Sequence, residues 1–194
     1  MPILTRVVWA MLIAFTAATA STAVETSAGG PMTVFDFTFP EEIAGARRIS
    51  IHDYESSDPG MGYSAGYRQG TLTGTVYIYG GGNQQLPDNP HSPLVKAELE
   101  KSRADIVRLW LQAGAKVNEK ESFTIQDARG RTRLICAAFS ITDNGDRPRD
   151  TFSCVGLTKN KFLKFRISTT QHDTSQAEAR GFVDAWIILL WPPS

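Results

Sequence analysis

Residues 132–168 read TRLICAAFSITDNGDRPRDTFSCVGLTKNKFLKFRIS, and this stretch decides the fold. Three strands are predicted in it, Thr132 to Thr142, Thr151 to Leu157 and Lys161 to Ser168. In the last, Leu163, Phe165 and Ile167 point one way while Lys164 and Arg166 point the other, the period of a strand covered unequally on its two faces. The connections are of hairpin length, and consecutive strands joined so closely pair antiparallel. The Asp143-Asn144-Gly145-Asp146-Arg147 cluster is turn chemistry. Cys136 and Cys154 are symmetric in number about Gly145. An odd-length loop centred there sets the two cysteines directly opposite on one face, whereas a two-residue Asn144-Gly145 turn sends them to opposite faces. The first geometry permits a disulfide, which would contribute ~3 kcal/mol on the chain-entropy model; the other reading is two buried free thiols.

Working outward, Glu121 to Gln126 precedes these strands as a shorter one. Ala46 to Tyr54, with Ile49 and Ile51 alternating with polar residues, reads as a half-buried strand. Tyr63 to Arg68 and Leu72 to Tyr79 form a hairpin around Gln69-Gly70-Thr71. Gly80-Gly81-Gly82-Asn83 with Pro87, Pro90 and Pro93 marks a loop. Ser92-Pro93 is an N-cap followed by proline at the first helical position. The helix it opens places Val95, Leu99, Ile106, Leu109 and Trp110 on one face and stops at Gly114. A last helix, from about Thr174 to Leu190, carries Phe182, Val183, Trp186, Ile187 and Leu190 as its packing stripe. The order of strands, helix, strands, helix defines an α+β domain, an antiparallel sheet flanked by two main helices. No alternation of strand and helix supports a doubly wound nucleotide fold.

The 194 residues hold 20 basic and 20 acidic side chains, three histidines and two cysteines. That balance gives no electrostatic footing for sequence-independent nucleic-acid binding. The chain opens with Arg6 ahead of an apolar run from Val7 to Phe15, then small residues to Ala23, the pattern of a secretory signal peptide. Ala18-Thr19-Ala20 and Ser21-Thr22-Ala23 both fit the small-x-small cleavage pattern. The expected organisation is residues 1–23 as signal peptide, 24–34 as a flexible leader and 35–194 as one α+β domain. Removing the first 23 residues takes away Arg6 and no acidic residue, so 19 basic face 20 acidic side chains. After cleavage no membrane span is expected, and the compartment is periplasmic or secreted, where a disulfide persists.

Gly62-Tyr63-Ser64-Ala65-Gly66 matches the G-x-S-x-G elbow of serine hydrolases, in which a strained strand-to-helix turn exposes the serine. Here Tyr67-Arg68-Gln69-Gly70-Thr71 continues as strand and turn, and His91 and His172 lie in loops, so a hydrolase using Ser64 is the alternative reading only. His52-Asp53 and His172-Asp173 resemble paired metal ligands, but Asp173 or Thr174 is better explained as a helix cap. No catalytic residue, metal site or cofactor is assigned. Arg129, Arg131, Arg133, Arg147 and Arg149 offer a basic edge, though such residues more often solvate turns and blunt strand edges. Tyr63, Tyr67, Tyr77 and Tyr79 occupy period-two positions on the hairpin, and a turn centred on Gly70 would oppose Tyr63 to Tyr77. That row is either a face covered by a helix or, if exposed, a binding surface.

Phe37-Thr38-Phe39-Pro40 entering the sheet, the hairpin from Tyr63 to Tyr79, the helix from Ser92 and Lys161-Phe162-Leu163-Lys164-Phe165-Arg166-Ile167 before a final helix give an order that resembles the Mog1/PsbP-like α/β sandwich. The arrangement is also similar to that of small exported bacterial proteins. The resemblance implies a non-enzymatic binding or assembly accessory protein, with a protein or envelope ligand as partner. It implies no site residues, because no site motif matches.

Overall fold

The computed structural model describes residues 30–82, 85–87, 89–143, 145 and 148–193. The expected signal peptide and most of the leader lie outside the described residues. In chain order the elements are β1 (Met32–Val34), β2 (Phe37–Phe39), β3 (Glu42–Ile43), β4 (Ala46–Asp53), β5 (Tyr63–Gln69), β6 (Leu72–Tyr79), α1 (Pro93–Gln112), β7 (Lys116–Glu119), β8 (Phe123–Gln126), β9 (Thr132–Thr142), β10 (Pro148–Thr158), β11 (Lys161–Thr170) and α2 (Ser175–Leu190). The architecture is α+β: one antiparallel sheet in the order β3-β4-β5-β6-β11-β10-β9-β7, with β8 also on β9 and a helix on each face.

The strand spacing explains both layers. On β11, Leu163, Phe165 and Ile167 are buried under α2, while Phe162, Lys164 and Arg166 belong to the face that carries α1. The α2 side is the larger core, in which Trp186 meets Tyr67, Phe39 and Phe165 edge-on at 5.7, 6.2 and 6.2 Å. Cys136 and Cys154 are direct cross-strand partners in this layer, 4.1 Å apart at Cα and disulfide-bonded. On the other side α1 lies across β9 and β10 and buries Val95, Leu99 and Ile106 against Phe139, Val155 and Leu157. Its Ser92 cap accepts the Val95 amide at 3.3 Å, with Pro93 opening the first turn. Toward the far end Leu109 stays exposed and Trp110 only half-buried.

Several features depart from the sequence reading. The β5–β6 turn is two residues long, Gly70-Thr71, with Gly70 at φ +54. The register therefore pairs Tyr63 with Ile78 and Ser64 with Tyr77. A shift of one residue reverses every side chain of one strand relative to the other. The segment Phe37–Phe39 does not enter the main sheet; β2 pairs only with β1, as a ribbon whose Phe37 and Phe39 are buried in the α2 layer. Met32–Val34, placed in the leader by sequence, forms the other half of that ribbon. In β4 the register slips between Arg48 and Ser50, which leaves Ile49 as a bulge, 52% exposed. At the N-terminus of α2, Thr174 makes no side-chain cap to the backbone; its hydroxyl donates to Glu178 instead.

Candidate functional site

The one-residue change in register divides the four tyrosines. Tyr63 and Tyr67 face α2: Tyr63 packs edge-on against Phe35 at 5.3 Å, and Tyr67 is buried with its hydroxyl donating to the Pro40 carbonyl at 2.9 Å. Burial pushes the Tyr67 phenol well above its ordinary range, so it remains a neutral donor. Tyr77 and Tyr79 face the other way, into a groove of about 460 Å³ between α1 and the face of β6 and β11.

The groove is built from three segments. The floor is Tyr77 and Tyr79 of β6 with Phe162 and Lys164 of β11, Tyr79 stacking on Phe162 at 5.3 Å. One wall is the first turns of α1, fixed in phase by the Ser92 cap, which present Leu94, Ala97, Glu98 and Lys101. The opposite rim is Tyr54 and Met61 from the loop between β4 and β5. The Glu55 carboxylate holds that loop closed by accepting the amides of Gly60 and Gly62 at 3.0 and 2.8 Å. Gly62 sits at φ +65 with its Cα against β6, where a Cβ would stand 2.0 Å from the Ile78 carbonyl oxygen. Only glycine fits there. Tyr54, Met61 and Leu94 are 40, 49 and 38% exposed, an apolar rim open to solvent.

Within the groove Glu98 accepts from the Tyr79 hydroxyl at 2.5 Å and pairs with Lys164 at 3.0 Å. The Lys164 ammonium also stands 5.3 and 5.0 Å from the ring centres of Tyr77 and Tyr79. Burial, reinforced by the Glu98 charge, drives the Tyr79 phenol far above its usual value and keeps it a proton donor. Burial also raises Tyr77, against the opposing charge of nearby Arg166. Beyond Tyr77 the same face continues into a shallower hollow of about 210 Å³, lined by Thr75, Trp110, Thr151, Arg166 and Ser168.

The other sequence candidates do not assemble. Ser64 lies within β5, 1% exposed, its Oγ without a hydrogen-bond partner, and the chain continues as strand rather than turning into a helix. The G-x-S-x-G elbow is therefore not formed. His52 stands across from Ser64 in register but stacks on Tyr54, while His91 and His172 lie elsewhere, the latter 3.4 Å from Glu178. Among the described residues no group of three or more His, Cys, Asp or Glu side chains could hold a metal ion. Arg131 and Arg133 converge on the buried Asp127 carboxylate, both at 2.9 Å, and Arg133 also covers Trp191, so they are internally committed. Among the described residues no helix is long and apolar enough to cross a membrane. Sequence reasoning missed Tyr54, Met61, Leu94 and Glu98 as one site, since they come from a loop and a helix flank that only the tertiary fold brings to β6.

No family model matches the chain, and no curated protein does. Among solved structures it is similar to the solution structure of cyanobacterial PsbP (CyanoP) from Synechocystis sp. PCC 6803, at 12% identity and a TM-score of 0.41, covering 77% of this chain and 82% of that one.

Proposed function

We propose that the chain is an exported, non-enzymatic binding or assembly accessory protein, periplasmic or secreted, which engages its ligand through the groove floored by Tyr77 and Tyr79. The observation that carries this reading is the solvent-open apolar rim of Tyr54, Met61 and Leu94 around a fixed Tyr79–Glu98–Lys164 cluster. A concave, mainly apolar site with a few placed polar groups is the general form of a ligand site. The Cys136–Cys154 disulfide fits an oxidising compartment, and the organisation that goes with it is a signal peptide at 1–23, a leader and one domain. Tyr63 and Tyr67 serve stability in this reading, because they face the α2 core.

The test compares what remains bound to the purified chain from its native envelope fraction in the wild type, Met61→Glu and Ile188→Glu. Met61 and Ile188 are both exposed, on opposite sides of the sheet, so neither change disturbs a core. Met61→Glu is expected to lose at least nine-tenths of the bound material and Ile188→Glu to keep it. Retention by Met61→Glu, with loss in Ile188→Glu, would move the site to the α2 side and overturn the proposal.

A further inference from the structure

The groove and the hollow beyond it adjoin at Tyr77, along one face of β6 and β11, and together make a trough with two chemically different ends. One end is apolar, Tyr54, Met61, Leu94 and Phe162. The other is a hydroxyl-bearing patch around a guanidinium, Thr75, Thr151 and Ser168 beside Arg166. Lys164 and Arg166 are two residues apart on β11 and point to the same face, which spaces them about 7 Å along the trough. Among the lining residues the only carboxylate is Glu98, against Lys101, Lys164 and Arg166. Glu98 is already matched by Lys164. Arg166 has no acidic partner among the described residues, and its half-buried side chain lines the hollow with Tyr77, close enough for its charge to act on the phenol.

The sheet also restricts what can lie in the trough. Its floor is β6 and β11, interior strands paired on both sides. Their backbone groups are consumed in the ladder, so a peptide laid there would bury amides without main-chain partners. A ligand with no amide chain avoids that cost.

We infer that the trough binds a medium-chain acyl carboxylate, its alkyl body against Met61, Leu94 and Phe162 and its carboxylate on Arg166. This rests on the groove being the ligand site and adds the ligand's class. The excess of positive charge selects an anion, and the planar guanidinium suits a carboxylate held bidentately. The Thr75 and Ser168 hydroxyls flank that contact, and the apolar end takes the tail.

The experiment is a calorimetric titration of the full mature chain with octanoate, 1-octanol and octylammonium, repeated on Arg166→Gln and Met61→Glu. Octanoate is expected to bind at least tenfold more tightly than 1-octanol, and octylammonium not to bind. Arg166→Gln should erase the preference for octanoate with 1-octanol unchanged, while Met61→Glu weakens both. Equal binding of octanoate and 1-octanol by the wild type overturns the carboxylate assignment while leaving the groove as the site, and this comparison stands even if Arg166→Gln does not fold. Absence of octanoate binding, or an octanoate affinity indifferent to both substitutions, overturns the inference outright. So does a peptide that competes with octanoate and binds more tightly. The native-ligand comparison with Met61→Glu separately judges the groove itself.

Discussion

At the scale of single residues, two buried polar or covalent contacts carry measurable stability. The Cys136–Cys154 bond joins adjacent strands in the α2 layer, eighteen residues apart in sequence. Replacing both with serine is expected to cost ~3 kcal/mol in chemical denaturation, mostly through the unfolded chain. An unchanged denaturation midpoint would show that the bond adds no constraint. Asp127 is 7% exposed. Burial alone would raise its carboxyl, but the amides of Arg131 and Arg129 and the guanidinium groups of Arg131 and Arg133 outweigh that and hold it well below the usual carboxylate range. Because the folded value lies below the unfolded one, near 3.9, its contribution is fully present above that pH and is lost as pH falls toward and through the folded value. Asp127→Asn should lower the melting temperature at pH 7, with the gap from wild type closing as pH falls below about 4. A gap that stayed constant with pH would count against the ion cluster as its source.

At the scale of elements, Trp186 is the largest of the side chains by which α2 enters the core. Trp186 is fully buried and edge-on to three aromatic rings, while its indole Nε1 has no hydrogen-bond partner. Trp186→Ala is expected to destabilise by about 3–5 kcal/mol. Trp186→Phe should cost clearly less, since it keeps ring contacts and removes an unsatisfied donor. Near-equal losses in urea titrations of the two variants would contradict this. Alternation along Lys161–Ser168, the Ser92-Pro93 signal and the symmetry of the cysteines about Gly145 made the central strands, α1 and the disulfide legible in the sequence. They are local patterns, each enforced within one hairpin or one helical turn. The tyrosine row was not legible, because its faces hang on whether the turn at Gly70 has two residues or three, and both read alike in sequence. Ile49 misled for a related reason: alternation cannot reveal a bulge, which consumes one residue without breaking the polar–apolar pattern. The ribbon of Met32–Val34 and Phe37–Phe39 was hidden because its pairing is its own and its burial comes from α2, far along the chain.

At the scale of the whole molecule, the two helices cover the sheet unequally: α2 closes one face, whereas α1 crosses the β9–β10 side and leaves the face of β6 and β11 as a trough. That asymmetry places the proposed site on the α1 side and reserves the other side for stability. The export reading belongs to this scale as well. N-terminal sequencing of the chain recovered from the cell envelope or medium is expected to begin at Ser21 or Val24, and recovery starting at Met1 would overturn it. Another consequence lies at the margins of the sheet. On one border β3 pairs with only Arg47 and Ala46 of β4, and the Ile49 bulge interrupts the rest; on the other, β9 is shared end to end by the four-residue strands β7 and β8. Among the described residues neither border offers a long, straight row of free amides and carbonyls on which a second copy could template itself, an irregular hem of the kind that discourages fibrous self-association.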